Sequence, residues 1–362
     1  MAADAEEDMS VRERLLSALR GEVVATPAYV VYDAFLPNPT VDWDWLFSLG
    51  LGQVNHAFVV DERHPNCEIV ETRMMERGLE RRDVTIRAAG GELHEYYLGA
   101  SDKGVLPWRM EHFIKKPSDY RLMAKALDGS TYSPTDRAFD ESETAIADRG
   151  ITIAHVDRTP FQKIQIDYAG LEAFSYHLAD GEPELFELLE LMNSLKLDEF
   201  ACVAKSKAEF VKLWENIGID AVGPHAYRKY MVPVYQAIKG VLRSAGKRLM
   251  VHYDGKMRLI AEDIARLGFD IDSLTPPPEG DMEPAEARAL WPESFFWLHP
   301  SLTWFRLPQK DLAARFRKMA CDAGPRHYCF ELSEGVPPNW KEGIPAVLKE
   351  LASGRFEGTR RG

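Results

Sequence analysis

Cysteine is scarce in this chain: Cys67, Cys202, Cys321 and Cys329 are the only four in 362 residues. So few, so widely spaced, do not make a disulfide framework and fit a protein kept reduced in the cytoplasm. No strongly basic stretch offsets the formal net charge of −13, which argues against a general nucleic-acid binder. No apolar run approaches the ~20 residues of a spanning helix. The opening Met-Ala-Ala-Asp-Ala-Glu-Glu-Asp lacks the basic start and apolar middle of a signal peptide. Glycine-rich fingerprints are missing as well. Gly21, Gly50 and Gly52 do not make GxGxxG, and no GxxxxGK[ST] occurs, so dinucleotides and P-loop nucleotides are not expected ligands. Neither a zinc-finger spacing nor HExxH is found.

What is present is an alternation of strand and helix patterns. The length suits one large α/β barrel or two medium domains, with a core that needs no staples. Residues 1–9 read as a disordered acidic tail. Ser10 and Glu13 then form a capping box ahead of Leu15, Leu16 and Leu19 at helical spacing, and Gly21 stops that helix. Strands are expected at 28–33, 53–60, 151–155, 163–167, 199–204, 220–225, 248–254, 269–274, 295–299 and 327–332. Helices are expected between them, including 182–196 and 207–217. Residues 68–115 break this rhythm. Their Gly90-Gly91 turn between two β-patterned runs reads as a hairpin-bearing insertion within a domain spanning 10–355. Roughly eight strand–helix units in a chain of this size favour a closed (β/α)8 TIM barrel over an open sheet.

In such a barrel the C-terminal strand ends form the active-site face. There the pattern places Asp33, Asp167, His225, His252, Asp254, Glu279, His299, Cys329, Glu331 and Glu334. His252 and Asp254 are two apart, as are Cys329 and Glu331, so each pair leaves one face of its strand. Imidazole, thiol and carboxylate at two strand ends are what a metal or acid–base site needs and what an apolar core avoids. His252, Asp254, Glu279, Cys329, Glu331 and Glu334 are the candidate metal ligands. Asp33, Asp167, His225, His299 and Tyr227, in the first turn of the helix after His225, are the candidates for acid–base or substrate work. Any one of them alone reads equally well as a hydrogen-bonded strand end or a helix cap. Their recurrence on successive strands is the signal.

Several stretches resemble the uroporphyrinogen decarboxylase superfamily: Val11-Arg-Glu-Arg-Leu-Leu-Ser-Ala-Leu-Arg-Gly-Glu22, Phe113-Ile-Lys-Lys-Pro-Ser-Asp-Tyr120, Gly223-Pro-His-Ala-Tyr-Arg-Lys-Tyr-Met-Val-Pro-Val-Tyr235, Gly246-Lys-Arg-Leu-Met-Val-His-Tyr-Asp-Gly255 and Ser333-Glu-Gly-Val-Pro-Pro338. The resemblance is diffuse and covers about 10–352. It implies a (β/α)8 barrel with its pocket at the C-terminal strand ends. The family's true decarboxylases carry an arginine-rich segment where this chain has Pro27-Ala-Tyr-Val-Val-Tyr-Asp-Ala-Phe35, with no arginine. A substrate bearing many carboxylates needs bidentate cations, so porphyrinogen decarboxylation is not expected.

The other branch, the cobalamin-dependent methyltransferases, implies a zinc motif of His-x-Cys and a later Cys in the last strand. Here His252 stands in place, Asp254 replaces the first cysteine, and Cys329 or Glu331 takes the second position. Carboxylate for thiolate makes a harder site. The resemblance thus implies a corrinoid-dependent methyltransferase. It would move a methyl group between a small donor or acceptor, such as a methyl ether or methylamine, and cobalamin held by a partner corrinoid protein. Zinc is the expected divalent metal, and a homo-oligomer is compatible with the sequence. A metal-assisted decarboxylase or lyase of a small substrate, and a barrel that has lost its chemistry, are the competing readings.

Overall fold

The computed structural model describes residues 9–100, 105–332 and 335–354. The acidic tail, apart from Met9, lies outside the described residues, as does Glu334. Two compact units divide the chain: Met1–Val59, Thr135–Val156 and Ser206–Gly362 form the first, and Val60–Pro134 and Asp157–Lys205 the second.

The first unit opens on helix Val11–Leu19. Ser10 Oγ accepts from the Glu13 backbone N–H while the Glu13 carboxylate accepts from that of Ser10, the reciprocal cap expected from the sequence. Strands β1 (Tyr29–Tyr32) and β2 (Gly52–Ala57) follow. The chain next builds β3 (Val60–Arg63), β4 (Cys67–Glu76), β5 (Leu79–Ala88), β6 (Gly91–Ala100), β7 (Val105–Glu111) and β8 (Thr131–Pro134). It resumes the first sheet with β9 (Gly150–Asp157), β10 (Phe210–Trp214), β11 (Arg248–His252), β12 (Asp270–Leu274), β13 (Phe296–Leu298) and β14 (Tyr328–Glu331). The order β1-β14-β13-β12-β11-β10-β9-β2 closes on itself, with parallel pairing from β2–β9 through β1–β14, so the unit is a (β/α)8 barrel.

The barrel interior is layered. Leu15, Ala18 and Leu19 of the first helix pack in one cluster with Val30, Val54, Ile153, Phe210, Met250, Trp297 and Cys329. The amphipathic helix thereby closes the N-terminal end. Gly52 makes room for it, since a Cβ there would stand 2.4 Å from Val11 Cγ1. Because strand side chains alternate, the next inward position lies two residues on. Val30, Val54, Ile153, Phe210, Met250, Trp297 and Cys329 thus give way to Tyr32, His56, His155, Lys212, His252, His299 and Glu331. On seven strands the lining turns from apolar to polar in a single step.

In the second unit β4–β7 form a four-stranded antiparallel sheet and β3 pairs with β8. The Gly90-Gly91 hairpin is its β5–β6 turn, with φ of +111° and +155°. Ile86, Leu93, Phe113 and Ile114 are buried within 68–115, and more apolar side chains come from outside it: Tyr120, Met123 and Leu127 of helix Pro117–Leu127, Phe174 of Leu171–Asp180, and Leu185, Leu188, Met192 and Phe200 of Pro183–Val203. No helix among the described residues is long and apolar enough to cross a membrane.

Four expected elements differ. Residues 163–167 alternate like a strand but continue a helical turn begun at Pro160, whose fixed φ suits a helix start. Residues 199–204 extend the apolar face of helix Pro183–Val203 instead of forming a strand. Residues 220–225 make two short helical turns. The expected helix 207–217 is strand β10. Phe210, Trp214 and Ile217 mimic a helical period, and Lys212 suits a solvent face there, yet its side chain is buried inside the barrel.

Candidate active site

The polar layer is built around two carboxylates, Asp272 on β12 and Glu331 on β14, the strands on either side of β13. Asp272, in the middle of β12, lies in register with His252 on β11. One carboxylate oxygen accepts from Lys212 Nζ at 2.7 Å and from His252 Nδ1 at 2.5 Å. The other meets the Tyr32 hydroxyl at 3.4 Å. Lys212 Nζ also donates to the Tyr32 hydroxyl at 3.0 Å and lies 4.2 and 4.1 Å from the ring centres of Tyr32 and Trp214, a cation–π cage. Burial alone would push Asp272 upward. The ammonium of Lys212, then His252, outweighs it and holds this carboxyl well below its usual range. An ionised Asp272 accepts, so the proton of His252 sits on Nδ1.

Glu331, from β14, binds the second half of the layer. Its Oε2 lies 2.8 Å from His299 Nε2, which is also 3.2 Å from the Tyr32 hydroxyl, while His299 Nδ1 meets Ser273 Oγ at 3.1 Å. Glu331 Oε1 is buried and has no hydrogen-bond partner. Burial raises the pKa of Glu331 well above the ordinary value, with the charge of Asp272 adding to it and Lys212 opposing. One group of Asp272, His299 and Glu331 offers an oxygen, a nitrogen and an oxygen within 4.8 Å of one another. Bond lengths near 2.0–2.2 Å bring such donors around one ion after small side-chain rotations. The unspent Oε1 is the atom such an ion would satisfy, and the set fits a divalent metal of harder character than one held by thiolates.

Rings complete the wall. Trp214 lies parallel to His252 (4.8 Å between centroids, 4°) and nearly so to His155 (5.5 Å, 26°). His56 stands edge-on to Trp214 at 5.6 Å. Asp33, in the 3-10 turn after β1, grips His56 twice, at Nδ1 (3.0 Å) and at the backbone N–H (2.9 Å). His56 Nε2 is buried without a hydrogen-bond partner. Burial lowers its pKa, against the pull of Asp33.

No family model matches this chain, and no curated protein does. Solved structures do. A methyltransferase from Methanosarcina mazei superposes with a TM-score of 0.57 at 14% identity, covering 96% of this chain and 99% of that one. A B12-independent methionine synthase from Shewanella sp. W3-18-1, in complex with selenomethionine, gives 0.42 at 10% identity, covering 87% and 84%. The first likeness is one of fold.

Of the residues singled out from the sequence, His252, His299 and Glu331 enter the layer and Asp33 supports it through His56. The others are placed elsewhere. Strand β11 ends at His252, so Asp254 loses the alternation that would have kept it on the same face and is exposed. Cys329 lies one layer lower among apolar side chains, its thiol pushed far up by burial and by Glu331, which suits packing rather than a thiolate ligand. Glu279 is exposed and accepts from Ser301 Oγ at 2.6 Å. His225 is exposed on the turn Pro224–Ala226. Tyr227 is enclosed, its hydroxyl 2.9 Å from that of Tyr253. Asp167 belongs to the second unit, where Arg109, Arg158 and Lys163 already engage it. Lys212, Asp272, Tyr32 and His56 were not nominated. Tyr32, His56 and Asp272 fall within the expected strands and Lys212 within an expected helix, and the signal for them is alternation in step with His252, His299 and Glu331.

Proposed function

We propose that the chain is a methyl-transferring barrel enzyme, akin to the cobalamin-dependent branch of the uroporphyrinogen decarboxylase superfamily. Its site would be the polar layer, and its substrate a small methyl ether, methylamine or methyl acceptor. The observation that carries this reading is the convergence of Asp272, His299 and Glu331, with an unpartnered Glu331 oxygen, at the C-terminal end of the barrel strands. The methyltransferase named for the Methanosarcina structure supports the class of reaction through fold alone.

A methyl ether or methylamine is a poor methyl donor because its leaving group is too basic. A divalent ion held by Asp272, His299 and Glu331 would supply Lewis acidity at that oxygen or nitrogen. The chain's own groups do the rest. Asp272 fixes the His252 tautomer and leaves Nε2 for proton transfer to or from the leaving group. Lys212 holds Asp272 ionised, and the Tyr32 hydroxyl helps to keep it in place. Trp214 packs flat on His252 and fixes its plane. A corrinoid carried by a partner protein is the proposed methyl acceptor or donor.

A second reading rests on the 2.7 Å contact between Lys212 and Asp272: the ammonium already stands where a cation would, so a metal-free acid–base decarboxylase or lyase could use the same layer. Elemental analysis and turnover separate the two. Methyl transfer is measured with cob(I)alamin supplied, using methoxylated aromatics and methylamines, before and after chelation. The proposal expects one equivalent of divalent metal, loss of transfer on chelation, and at least a hundredfold loss in His252→Ala and Glu331→Gln. Metal-free protein that moves no methyl group but decarboxylates a small acid would establish the second reading instead.

A further inference from the structure

We infer that the second unit holds a binding site for a small zwitterion with a hydrocarbon tail, in chemical class an aliphatic α-amino acid, in a cavity where helix Pro183–Val203 faces β3, β8 and the turn Lys163–Tyr168. This does not rest on the barrel chemistry.

The cavity measures ≈ 230 Å³. That is below the ~300–1,000 Å³ of pockets for drug-sized ligands, so its occupant is small. One helix face supplies a wall: Met192, Leu195, Lys196 and Glu199 fall at i, i+3, i+4 and i+7. Half of that face is apolar and half is charged. Leu127 and Pro160 extend the apolar part. An ordinary surface helix turns its charges to water. This one lines a partly open cavity with them.

The charges balance, and several are already paired with one another. The lining holds three cations, Arg158, Lys163 and Lys196, and three carboxylates, Glu62, Asp157 and Glu199, with Lys196 Nζ 2.6 Å from Glu199. At one end Tyr132 donates to Glu62 Oε1 at 2.9 Å, and burial followed by Glu62 and then Glu199 drives its hydroxyl pKa upward. At the other end Arg158 and Lys163 share Asp157 and Asp167. Arg158 Nη1 lies 3.3 Å from each, and Lys163 Nζ lies 3.2 Å from Asp167 and contacts Asp157 more closely. Arg158 spends Nη1 on these long contacts, and its Nε is buried with no hydrogen-bond partner. Buried guanidinium donors are rarely left so, and a carboxylate is the group whose geometry suits that edge. The widened turn Lys163–Tyr168 that aims Lys163 and Tyr168 at the cavity is of a kind found most often at functional sites.

A bare anion or cation would leave a net charge in a partly dehydrated, neutral setting, which is costly. A zwitterion adds none. Its carboxylate meets Arg158 and Lys163, its ammonium meets Glu62 and shares Glu199 with Lys196, and its chain lies along Met192, Leu195 and Leu127.

The test is calorimetric titration of the full chain with L-norleucine, hexanoate and 1-aminopentane, which share the hydrocarbon and differ in charge. Saturable binding of norleucine, at least tenfold tighter than either single-charge analogue, supports the site. So does a tenfold or greater loss in Arg158→Gln and Glu62→Gln. Leu195→Trp fills the apolar wall and removes no charge; it should abolish binding while circular dichroism stays that of the wild type. The inference is overturned if norleucine does not bind, or if hexanoate binds as tightly. Because the analogue series uses wild-type protein, a variant that fails to fold does not rescue the idea.

Discussion

Charge is withdrawn from water both in the barrel layer and in the cavity of the second unit, and the two handle it differently. In the barrel, Lys212 and Asp272 are 1% exposed and Glu331 is 0% exposed. In the cavity, Lys163 and Asp157 keep 27% and 37% of their side-chain surface. A group with no access to water must find every partner within the fold, so an unspent atom such as Glu331 Oε1 is a standing demand for a ligand or a proton. A half-hydrated group can trade water for a ligand at small cost. The first arrangement suits chemistry on rigid strands, and the second suits reversible binding.

Removing one cation from each place tests that contrast most severely. Lys212→Met leaves Asp272 buried without its main counter-charge, and should cost ~3–5 kcal/mol in urea unfolding. Lys163→Met, beside a carboxylate still open to solvent, should cost about 1 kcal/mol. Equal losses would erase the distinction.

The next test uses pH. Glu331 has its folded pKa raised above the unfolded value near 4.5, so it ionises in the unfolded chain first, and stability falls as pH rises from there toward the folded pKa. Glu331→Gln cannot ionise. Its unfolding temperature should match the wild type at pH 4 and exceed it by a few degrees at pH 8, while metal uptake is lost. A variant less stable at pH 8 would mean that Glu331 is ionised and fully paired as it stands.

Much of the barrel was legible because its strands are apolar runs that end in polar residues. Seven of the eight barrel strands were placed from that pattern. The eighth was not, since Phe210-Val-Lys-Leu-Trp214 carries a lysine where a buried strand should be apolar, and the neighbours of that lysine satisfy a helical period. The same residue explains the incomplete site. Lys212 draws Asp272 and Tyr32 into the network, a link that is lost when Lys212 is expected on a helix. Asp254 misled for the converse reason: alternation holds only while the strand does, and β11 stops at His252. The cavity of the second unit was not legible, because its lining comes from distant segments that no local period links.

The smallest expected effect belongs to the cavity. Burial would raise Asp157, but Lys163 outweighs it and the carboxyl is lowered to about 2. Its contribution is therefore present above the unfolded value near 3.8 and lost as pH falls toward 2. Screening at this partly open site limits it to about 1 kcal/mol. Asp157→Asn should flatten the acid limb of the stability profile by that amount and leave the neutral region nearly as displaced as at pH 5. A steep acid limb persisting in the variant would assign the effect to other carboxylates.

The helix Val11–Leu19 beneath the barrel has a kinetic consequence. With Leu15 and Leu19 packed against the lowest interior layer, the helix closes the polar layer off from the N-terminal end of the barrel, so a substrate would have to enter from the C-terminal end. Whatever arrives there departs by the same door. Where that entrance admits one molecule at a time, the product must vacate before the next substrate descends. Product and substrate then compete for one form of the enzyme, and slow egress, rather than bond breaking, sets the ceiling on turnover whenever the departing molecule is the stickier of the two.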